Sequence, residues 1–335
     1  MNLKTLAQTL GISETTVSRA LNGYPEVSER TRERVLAAAK AVGYRPNPLA
    51  RSLAVGRTNV LAIVYPTLAV DFADPAFLHS LSGMSDAAAS KTMDLIIAPV
   101  PAANEMCAYE MVARERRVDG LIVSRTRVHD ERIRFLAERN VPFVAYGRTE
   151  LDKPYAWFDY DHAAGMALAI RELHGHGHRR IGFIGGAPDT SAAQQRRTAF
   201  AAVAQSCGLA TNPQLMIDGA DDRNGGYDAM RRLLGLPERP SGVVIANGPA
   251  AAGALRALRE AGLVAGRDIS VVAWNSREPA LAEDGVTMID EPNPHAAGEK
   301  MVEMLIALLD GTSPTDLQVT WAPALIPGVT VATPR

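Results

Sequence analysis

Cysteine is almost missing from this chain of 335 residues, which has only Cys107 and Cys207, far apart in the sequence. Neither a disulfide framework nor a thiolate zinc site is therefore indicated. Aromatic residues make up 5% of the chain, and no apolar run approaches the length of a membrane span. The first residues, MNLKTLAQTLGIS, do not have the apolar core of a signal peptide, so we expect a protein of the reducing cytoplasm.

Catalytic motifs are also missing, since the sequence has no nucleophile motif or phosphate loop, and GFIGG does not have dinucleotide-binding spacing. The histidine repeat at 174–178, HGHGH, is interrupted by Gly175 and Gly177. It therefore predicts a helix-end turn with one packed histidine rather than a zinc site. We expect no metal, no cofactor and no catalytic residue. The alternative to a protein without catalytic activity is an α/β sugar-binding enzyme, because α/β folds host many activities.

Charge is distributed unevenly along the chain, although the net charge is only −2. Residues 1–58 carry +5 and the remainder carries −7. This distribution indicates that the basic segment, residues 1–58, binds phosphate groups and that the acidic remainder does not. The length exceeds what one core organises, so the chain is expected to hold a small domain and a larger one.

The basic segment has the pattern of a helix-turn-helix. Apolar residues recur at helical spacing over 3–10, Gly11 suits a tight turn, and Ser13 suits the cap of a second helix. A third helix is predicted from Ser28. On the second helix, the residues outside the apolar stripe suit a major groove, where Arg19 would bond guanine. These predicted DNA-binding residues, with the capping serine, are Ser13, Glu14, Thr15, Thr16, Ser18, Arg19 and Asn22.

A linker follows, in which Pro46 and Pro48 end the third helix and residues 50–55, ARSLAV, have the composition of one or two helical turns. The apolar Leu53 lies between the basic Arg51 and Arg57. An apolar side chain in this setting suits insertion between base pairs in the minor groove, with Arg51 also facing DNA. The alternative is that Leu53 contacts its own domain.

Two stretches carry a specific resemblance: TLAQTLGISETTVSRALNG and VSERTRERVLAAAKAVGYRPNPLARSLAVGRT. They resemble the head and hinge of the LacI/GalR family of bacterial repressors. The resemblance implies that Glu14, Thr15 and Arg19 face bases, that the other polar residues of the helix mostly hold phosphates, and that Leu53 is the wedge. It also implies a homodimer on a palindromic operator. The tail after Thr320 has no leucine heptads, so we expect no helical tetramerisation segment.

From residue 59 short apolar runs alternate with helical segments; the runs are VLAIVYP, DLIIAPV, GLIVS, PFVAYG, RIGFIGG, GVVIAN and SVVAWN. Their continuous apolarity indicates strands buried on both faces, which predicts an α/β fold with parallel sheets covered by helices. Stretches such as RRVDGLIVSRT and ELHGHGHRRIGFIGG are similar to the same family, whose effector domain has a two-lobed periplasmic-binding-protein-like fold. The resemblance implies three crossings between lobes, near Asp159, Ile289 and Thr320. The predicted parts are a head at 1–45, a hinge at 46–58 and an effector domain at 59–335, with lobe 1 at about 59–158 and 290–319 and lobe 2 at about 159–289 and 320–335.

Ligands of such folds lie at the carboxyl ends of strands, and sugars need planar polar groups and an aromatic ring. The candidates are Phe77, Arg125, Arg148, Asp161, Arg196, Asn247, Trp274 and Asn275. By the resemblance Arg196 takes the family's effector-contacting position. Gly248, Pro249 and Asn275 depart from the family pattern, so local contacts must differ. The stretches SRTRVHD, AYGRTE and YAWFDYD resemble regulators of α-glucoside uptake, although Arg125 and Arg148 also suit an anionic sugar phosphate.

The expected function is a DNA-binding repressor of carbohydrate genes, released from its operator by a sugar. A corepressor-dependent repressor and an architectural protein that binds any DNA are the alternatives. The sequence does not distinguish an inducer from a corepressor.

Overall fold

The structure is a computed structural model that describes residues 3–21, 24–44, 57–66, 75–209, 212–274, 281 and 284–334. The chain forms two compact units, one of residues 1–59 with 117–119 and one of 60–116 with 120–335. Within the described ranges, no helix has both the length and the apolarity that crossing a membrane requires.

Among its described residues the first unit contains three short helices, α1 (Leu3–Leu10), α2 (Glu14–Leu21) and α3 (Glu29–Ala41). Ser28 caps α3, because its side chain accepts a hydrogen bond from the backbone N–H of Thr31. The three helices bury a small common core formed by Leu6, Ala7, Val17, Ala20, Val27, Val35 and Ala39. Arg34 of α3 also donates to the carbonyl oxygen of Leu10 at the end of α1 (3.3 Å).

The second unit is a mixed α/β structure, which confirms the predicted fold class. Its strands are β1 (Val60–Pro66), β2 (Asp94–Val100), β3 (Gly120–Val123), β4 (Phe143–Tyr146), β5 (Ala156–Tyr160), β6 (Ile181–Ile184), β7 (Met216–Ile217), β8 (Gly242–Ile245), β9 (Ser270–Trp274), β10 (Thr287–Asp290), β11 (Gln318–Trp321) and β12 (Ala324–Ile326). Its helices are α4 (Pro75–Ser90), α5 (Glu105–Glu115), α6 (Glu131–Glu138), α7 (His162–Gly175), α8 (Ser191–Ser206), α9 (Arg223–Leu234), α10 (Gly248–Glu260) and α11 (Pro294–Leu309).

The first sheet has the strand order β11-β5-β4-β3-β1-β2, and all its pairs are parallel. Strands β1 and β3 are almost wholly buried, as continuous apolar runs predict. Strand β2 is different: its run DLIIAPV was expected to be covered on both faces, but Ile96 and Ile97 are exposed. The physical reason is its position at the edge of the sheet, where helices cover it incompletely.

The second sheet has the order β12-β10-β9-β8-β6-β7. Its pairs are parallel except that of the edge strand β12, which is antiparallel to β10. Two buried clusters lie on its faces, one among α9, α10 and the sheet and one beneath α7 and α8.

The chain passes between the two sheets three times, after Tyr160, after Asp290 and after Trp321. The sequence analysis predicted that the two segments of lobe 2 start at about Asp159 and Thr320. Both residues still lie inside strands of the first sheet, β5 and β11. These crossings are one or two residues later than expected, because a strand continues until its last ladder partner rather than ending where its apolar run ends.

The histidine repeat lies where α7 ends. His176 follows the last turn, Gly177 has φ +96°, and His178 is 1% exposed. His178 Nδ1 lies 2.8 Å from Ser241 Oγ, and its Nε2 lies 2.9 Å from the carbonyl oxygen of Ala332. This imidazole therefore joins the end of the chain to the second sheet, and the described residues offer no cluster of three metal-ligating side chains.

Replacing His178 with alanine should lower the free energy of unfolding by about 2 kcal/mol, because Ser241 and Ala332 lose a buried hydrogen-bond partner. The matched control is His176→Ala, whose side chain is 40% exposed and should cost less than about 0.5 kcal/mol. Urea denaturation measures both. Equal values for the two variants would contradict the structural role of His178.

Candidate functional site

The turn between α1 and α2 is built from two local features. Gly11 has φ +67°, a left-handed conformation in which a side chain would be strained. Ser13 Oγ then accepts a hydrogen bond from the backbone N–H of Thr16 (3.0 Å), which caps α2. The two helices are thus separated by a short fixed turn.

Helix α2 buries one face and exposes the other. Val17 and Ala20 enter the small core, whereas Glu14, Thr15 and Arg19 are exposed. The exposed face therefore offers one guanidinium and short polar side chains to a groove of DNA. Of the remaining predicted DNA-binding residues, Ser13 is exposed and Thr16 and Ser18 are half-buried. Asn22, Arg51 and Leu53 lie outside the described residues.

In the second unit a cleft opens between the carboxyl ends of the two sheets. Its cavity volume is about 280 Å³, close to the lower end of the range for small-molecule sites. The first sheet contributes residues at the ends of β1, β3, β4 and β5, and the second contributes residues from α8, α10 and the loops beside them. Carboxyl ends of parallel strands are where ligands bind in open α/β folds.

Arg196 of α8 is held in a fixed position at the floor of the cleft. Its Nη2 donates to Glu291 Oε1 (3.0 Å) and its Nη1 donates to the carbonyl oxygen of Ala246 (2.6 Å). Its Cζ lies 4.1 Å from the centre of the Trp274 ring, whose indole N–H also donates to Glu291 (2.8 Å). The guanidinium is therefore paired and stacked before any ligand arrives.

A second chain of contacts joins Arg196 to the first sheet. The Nε–H of Arg196 donates to Nδ1 of His162 (3.2 Å), and His162 Nε2 lies 3.2 Å from Asp159 Oδ1. This arrangement fixes the neutral tautomer in which Nε2 carries the proton. Arg148 Nε donates to the other oxygen of Asp159 (2.8 Å), and Arg148 Nη2 donates to Gln195 of α8 (2.6 Å).

Burial and neighbouring groups shift the pKa values of His162 and Asp159 in this set of contacts. It lowers the pKa of His162, and the nearby Arg196 charge lowers the pKa further against the opposing effect of Asp159. Burial alone would raise the pKa of Asp159, but the hydrogen bonds from His162 and Arg148 and the charge of Arg148 outweigh it, and the pKa is lowered. At neutral pH the imidazole is thus neutral and the carboxylate is charged.

Backbone hydrogen bonds connect the two lobes at one side of the cleft. The N–H of Ser191 donates to the carbonyl of Thr126 (2.8 Å), and the N–H of Val128 donates to the carbonyl of Asp189 (3.1 Å). Together with the Arg148–Gln195 bond they hold the lobes together on that side.

The structure brings four of the predicted effector residues to the cleft wall: Phe77, Arg125, Arg196 and Asn247. Phe77 stacks on Tyr65 with ring centres 4.3 Å apart. The Asn247 side chain is already engaged, because it caps α10 through the N–H of Ala250 (2.8 Å) and donates to the Ala220 carbonyl (2.7 Å).

Three other predicted residues do not line the cleft. Trp274 is fully buried beneath Arg196, so it presents no face to a sugar. Asp161 caps α7 by accepting from the N–H of Ala164 (2.9 Å). Arg148 is turned towards Asp159 and Gln195. These residues support the cleft rather than line it, and Asn275 lies outside the described residues.

The sequence analysis missed several polar residues of the wall: Ser124, Asp159, His162, Asp221 and Glu291. Four of them directly end or follow strands, or begin the next helix, and that position was the available signal. Ser124 is the most informative, because it is 2% exposed and its hydroxyl has no hydrogen-bond partner within the part of the chain that the structure describes. Buried polar groups are normally paired, so this hydroxyl suits a ligand contact.

A helix-turn-helix and a two-lobed cleft in one chain define a DNA-binding regulator with an effector domain. Comparison with known proteins agrees: residues 2–47 match the bacterial regulatory proteins of the lacI family, and residues 170–331 match the periplasmic binding protein-like domain.

The full-length relatives give the same result. The chain is 34% identical over 336 residues to the HTH-type transcriptional regulator RafR of Escherichia coli, with 100% of this chain and 99% of the relative covered. It is 33% identical to the regulator AglR of Rhizobium meliloti, with 97% and 93% covered. A solved structure of a transcriptional regulator CelR–cellobiose complex superposes with a TM-score of 0.74 at 27% identity, with 98% and 99% covered. The chain belongs to the LacI family of bacterial transcriptional regulators, and its family is one of regulators rather than enzymes.

The lowered histidine pKa values predict a pH dependence of stability. His162 and His178 are neutral in the folded protein, whereas in the unfolded chain they take up a proton near their usual pKa of 6.5. The unfolded state therefore binds more protons at acid pH, so stability is complete above about pH 6.5 and falls as the pH drops below it.

Urea denaturation at several values between about pH 8 and pH 5 measures this slope, and the slope should be smaller in His178→Ala. A free energy of unfolding that stays constant or rises on acidification through this range would contradict the assignment.

Proposed function

We propose that this regulator is a homodimeric, cytoplasmic repressor that binds a palindromic operator and is released from it by a neutral sugar, such as a glucoside. The exposed Glu14, Thr15 and Arg19 on a capped second helix carry the DNA-binding part of the proposal. One such helix covers few base pairs, and two related by a dyad read enough sequence for selective binding.

The charge of the cleft favours a neutral ligand over a sugar phosphate. Asp159, Asp221 and Glu291 line the wall with Arg125 and Arg196. Because Arg196 is already paired with Glu291, a phosphate entering the cleft would meet carboxylates without a compensating excess of cations. Sugar hydroxyls, in contrast, accept from a guanidinium and donate to a carboxylate at the same site.

Shape and aromatic content support the same ligand class. Tyr65, Phe77, Tyr146 and Tyr160 line the first-lobe side of the cleft, and aromatic rings cover the apolar faces of pyranoses. The similar regulator CelR was solved as a complex with cellobiose, which supports a sugar as the class of ligand. A glucoside is the proposed ligand here, and an anionic sugar remains the second candidate because of Arg125.

Release requires that the sugar bind the two lobe arrangements with different affinity, since a ligand shifts an equilibrium only by that difference. The bonds from Ser191 to Thr126 and from Arg148 to Gln195 connect the lobes, so a ligand that alters the spacing of the lobes acts on these contacts. The proposed direction is an inducer, and the opposite direction would make the ligand a corepressor.

A pair of variants tests the two modules. Arg19→Ala should reduce the preference for operator over random DNA by about 1–3 kcal/mol, because a bidentate contact with a base is lost. Sugar affinity should not change. Fluorescence anisotropy with both duplexes at two salt concentrations measures the preference. Arg30→Ala removes the same charge from α3 and should weaken binding to both duplexes equally.

Arg196→Ala should abolish glucoside binding in calorimetry while operator binding persists, because Glu291 and Trp274 lose their partner in the cleft. Its neighbour Arg197 faces Asp218 outside the cleft wall and supplies the matched control, Arg197→Ala. If a panel of glucosides and sugar phosphates leaves wild-type operator affinity unchanged, or if operator and random DNA bind equally, the proposal is wrong.

A further inference from the structure

Within the first unit, Asp119 contacts two residues that lie far earlier in the sequence, Thr58 and Asn59. The DNA-reading helices do not explain this contact. Asp119 Oδ1 accepts from the backbone N–H of Thr58 (2.6 Å) and from its hydroxyl (2.9 Å). Asp119 Oδ2 accepts from the backbone N–H of Asn59 (2.8 Å). Both carboxylate oxygens are thus engaged with the two residues that immediately precede β1.

The backbone at this point requires such support. Asn59 has φ +55°, in the left-handed region that costs energy for any residue with a side chain. Hydrogen bonds from N–H groups to a carboxylate are stronger than those to a neutral acceptor. The Asp119 carboxylate therefore supports the left-handed turn at Asn59.

Asp119 is followed directly in the sequence by a buried strand. It directly precedes β3, all four residues of which are buried, and β3 lies next to β1 in the sheet with Leu61 opposite Gly120. At its other end β3 leads into Ser124 and Thr126 in the cleft wall. A short buried strand thus connects the cleft with the carboxylate that fixes Thr58 and Asn59.

We propose that Asp119 is a positioning residue for operator binding: it fixes Thr58 and Asn59, where the predicted hinge meets β1, and so reduces the conformational freedom that operator binding has to remove. This inference rests on the proposed function. Binding that orders a free segment loses affinity in proportion to the freedom removed, and a fixed end removes part of that freedom beforehand. Asp119 touches no base or phosphate in this account.

The test is operator binding by the full-length Asp119→Ala protein, measured by anisotropy with operator and with random duplex. We expect operator affinity to fall roughly tenfold, and affinity for random duplex and for the glucoside to stay within roughly twofold. Asp119→Asn keeps one acceptor oxygen and should lie between the wild type and Asp119→Ala. A general effect of charge predicts the opposite sign, because removing a carboxylate favours binding to phosphates.

Asp94 supplies the matched control. It begins β2, lies opposite Val60 at the same end of the same sheet, and is exposed. Asp94→Ala removes the same charge and should leave operator affinity unchanged or slightly higher. Wild-type operator affinity in Asp119→Ala would overturn the proposal, and so would an equal loss in Asp94→Ala.

A structural role alone would have a different signature. If Asp119→Ala lowers the melting temperature by several degrees and weakens glucoside binding along with operator binding, Asp119 merely stabilises the fold and the proposal is wrong. Failure of the wild-type protein to distinguish operator from random duplex would instead refute the proposed function itself. The two failures are therefore separable in one set of titrations.

Discussion

The effector domain depends on a buried chain of polar contacts at the floor of its cleft, in which Arg196 is held by Glu291, Trp274 and His162 while Asp159 faces His162 and Arg148. Arg196, His162 and Asp159 are each largely buried, so none of them is tolerable without partners. Because the members come from both sheets and from two of the crossings, the same contacts that satisfy these groups also fix one lobe against the other.

This arrangement explains why a sensor can respond to a neutral ligand. The ligand does not need to supply a charge, since the charged side chains in this set of polar contacts are already paired with one another. It needs only to compete for, or add to, hydrogen bonds whose geometry depends on the lobe arrangement. Strand β3 connects two of the regions discussed above, because it begins directly after Asp119 and ends at the cleft wall.

Much of the fold followed from the sequence. The continuous apolar runs identified β1, β3, β4, β6, β8 and β9, because strands buried on both faces leave no ambiguity in their pattern. The short strands β7, β10, β11 and β12 were not predicted, since each contains only two or three apolar residues, too few to form a pattern. In the head, Gly11, Ser13 and Ser28 identified the helix boundaries through local backbone chemistry, which requires no tertiary information.

The candidate site was less predictable. The ends of strands and the starts of helices identified Phe77 and Arg125, and the family resemblance identified Arg196, but whether a side chain faces the cleft or turns inward depends on partners distant in sequence. Trp274 was expected to cover a sugar, yet it lies beneath Arg196, and Asp161 caps a helix. Glu291 was missed because its function is defined only by Arg196 and Trp274, which are far from it in the chain.

The central claim is that cleft and operator binding are coupled through one lobe equilibrium, and coupling of this kind is reciprocal. The direct measurement is the affinity of the glucoside for the protein with and without saturating operator, set beside the operator affinity with and without saturating glucoside. The account predicts that both affinities fall by the same factor. Glucoside affinity that is identical on free and operator-bound protein would contradict it.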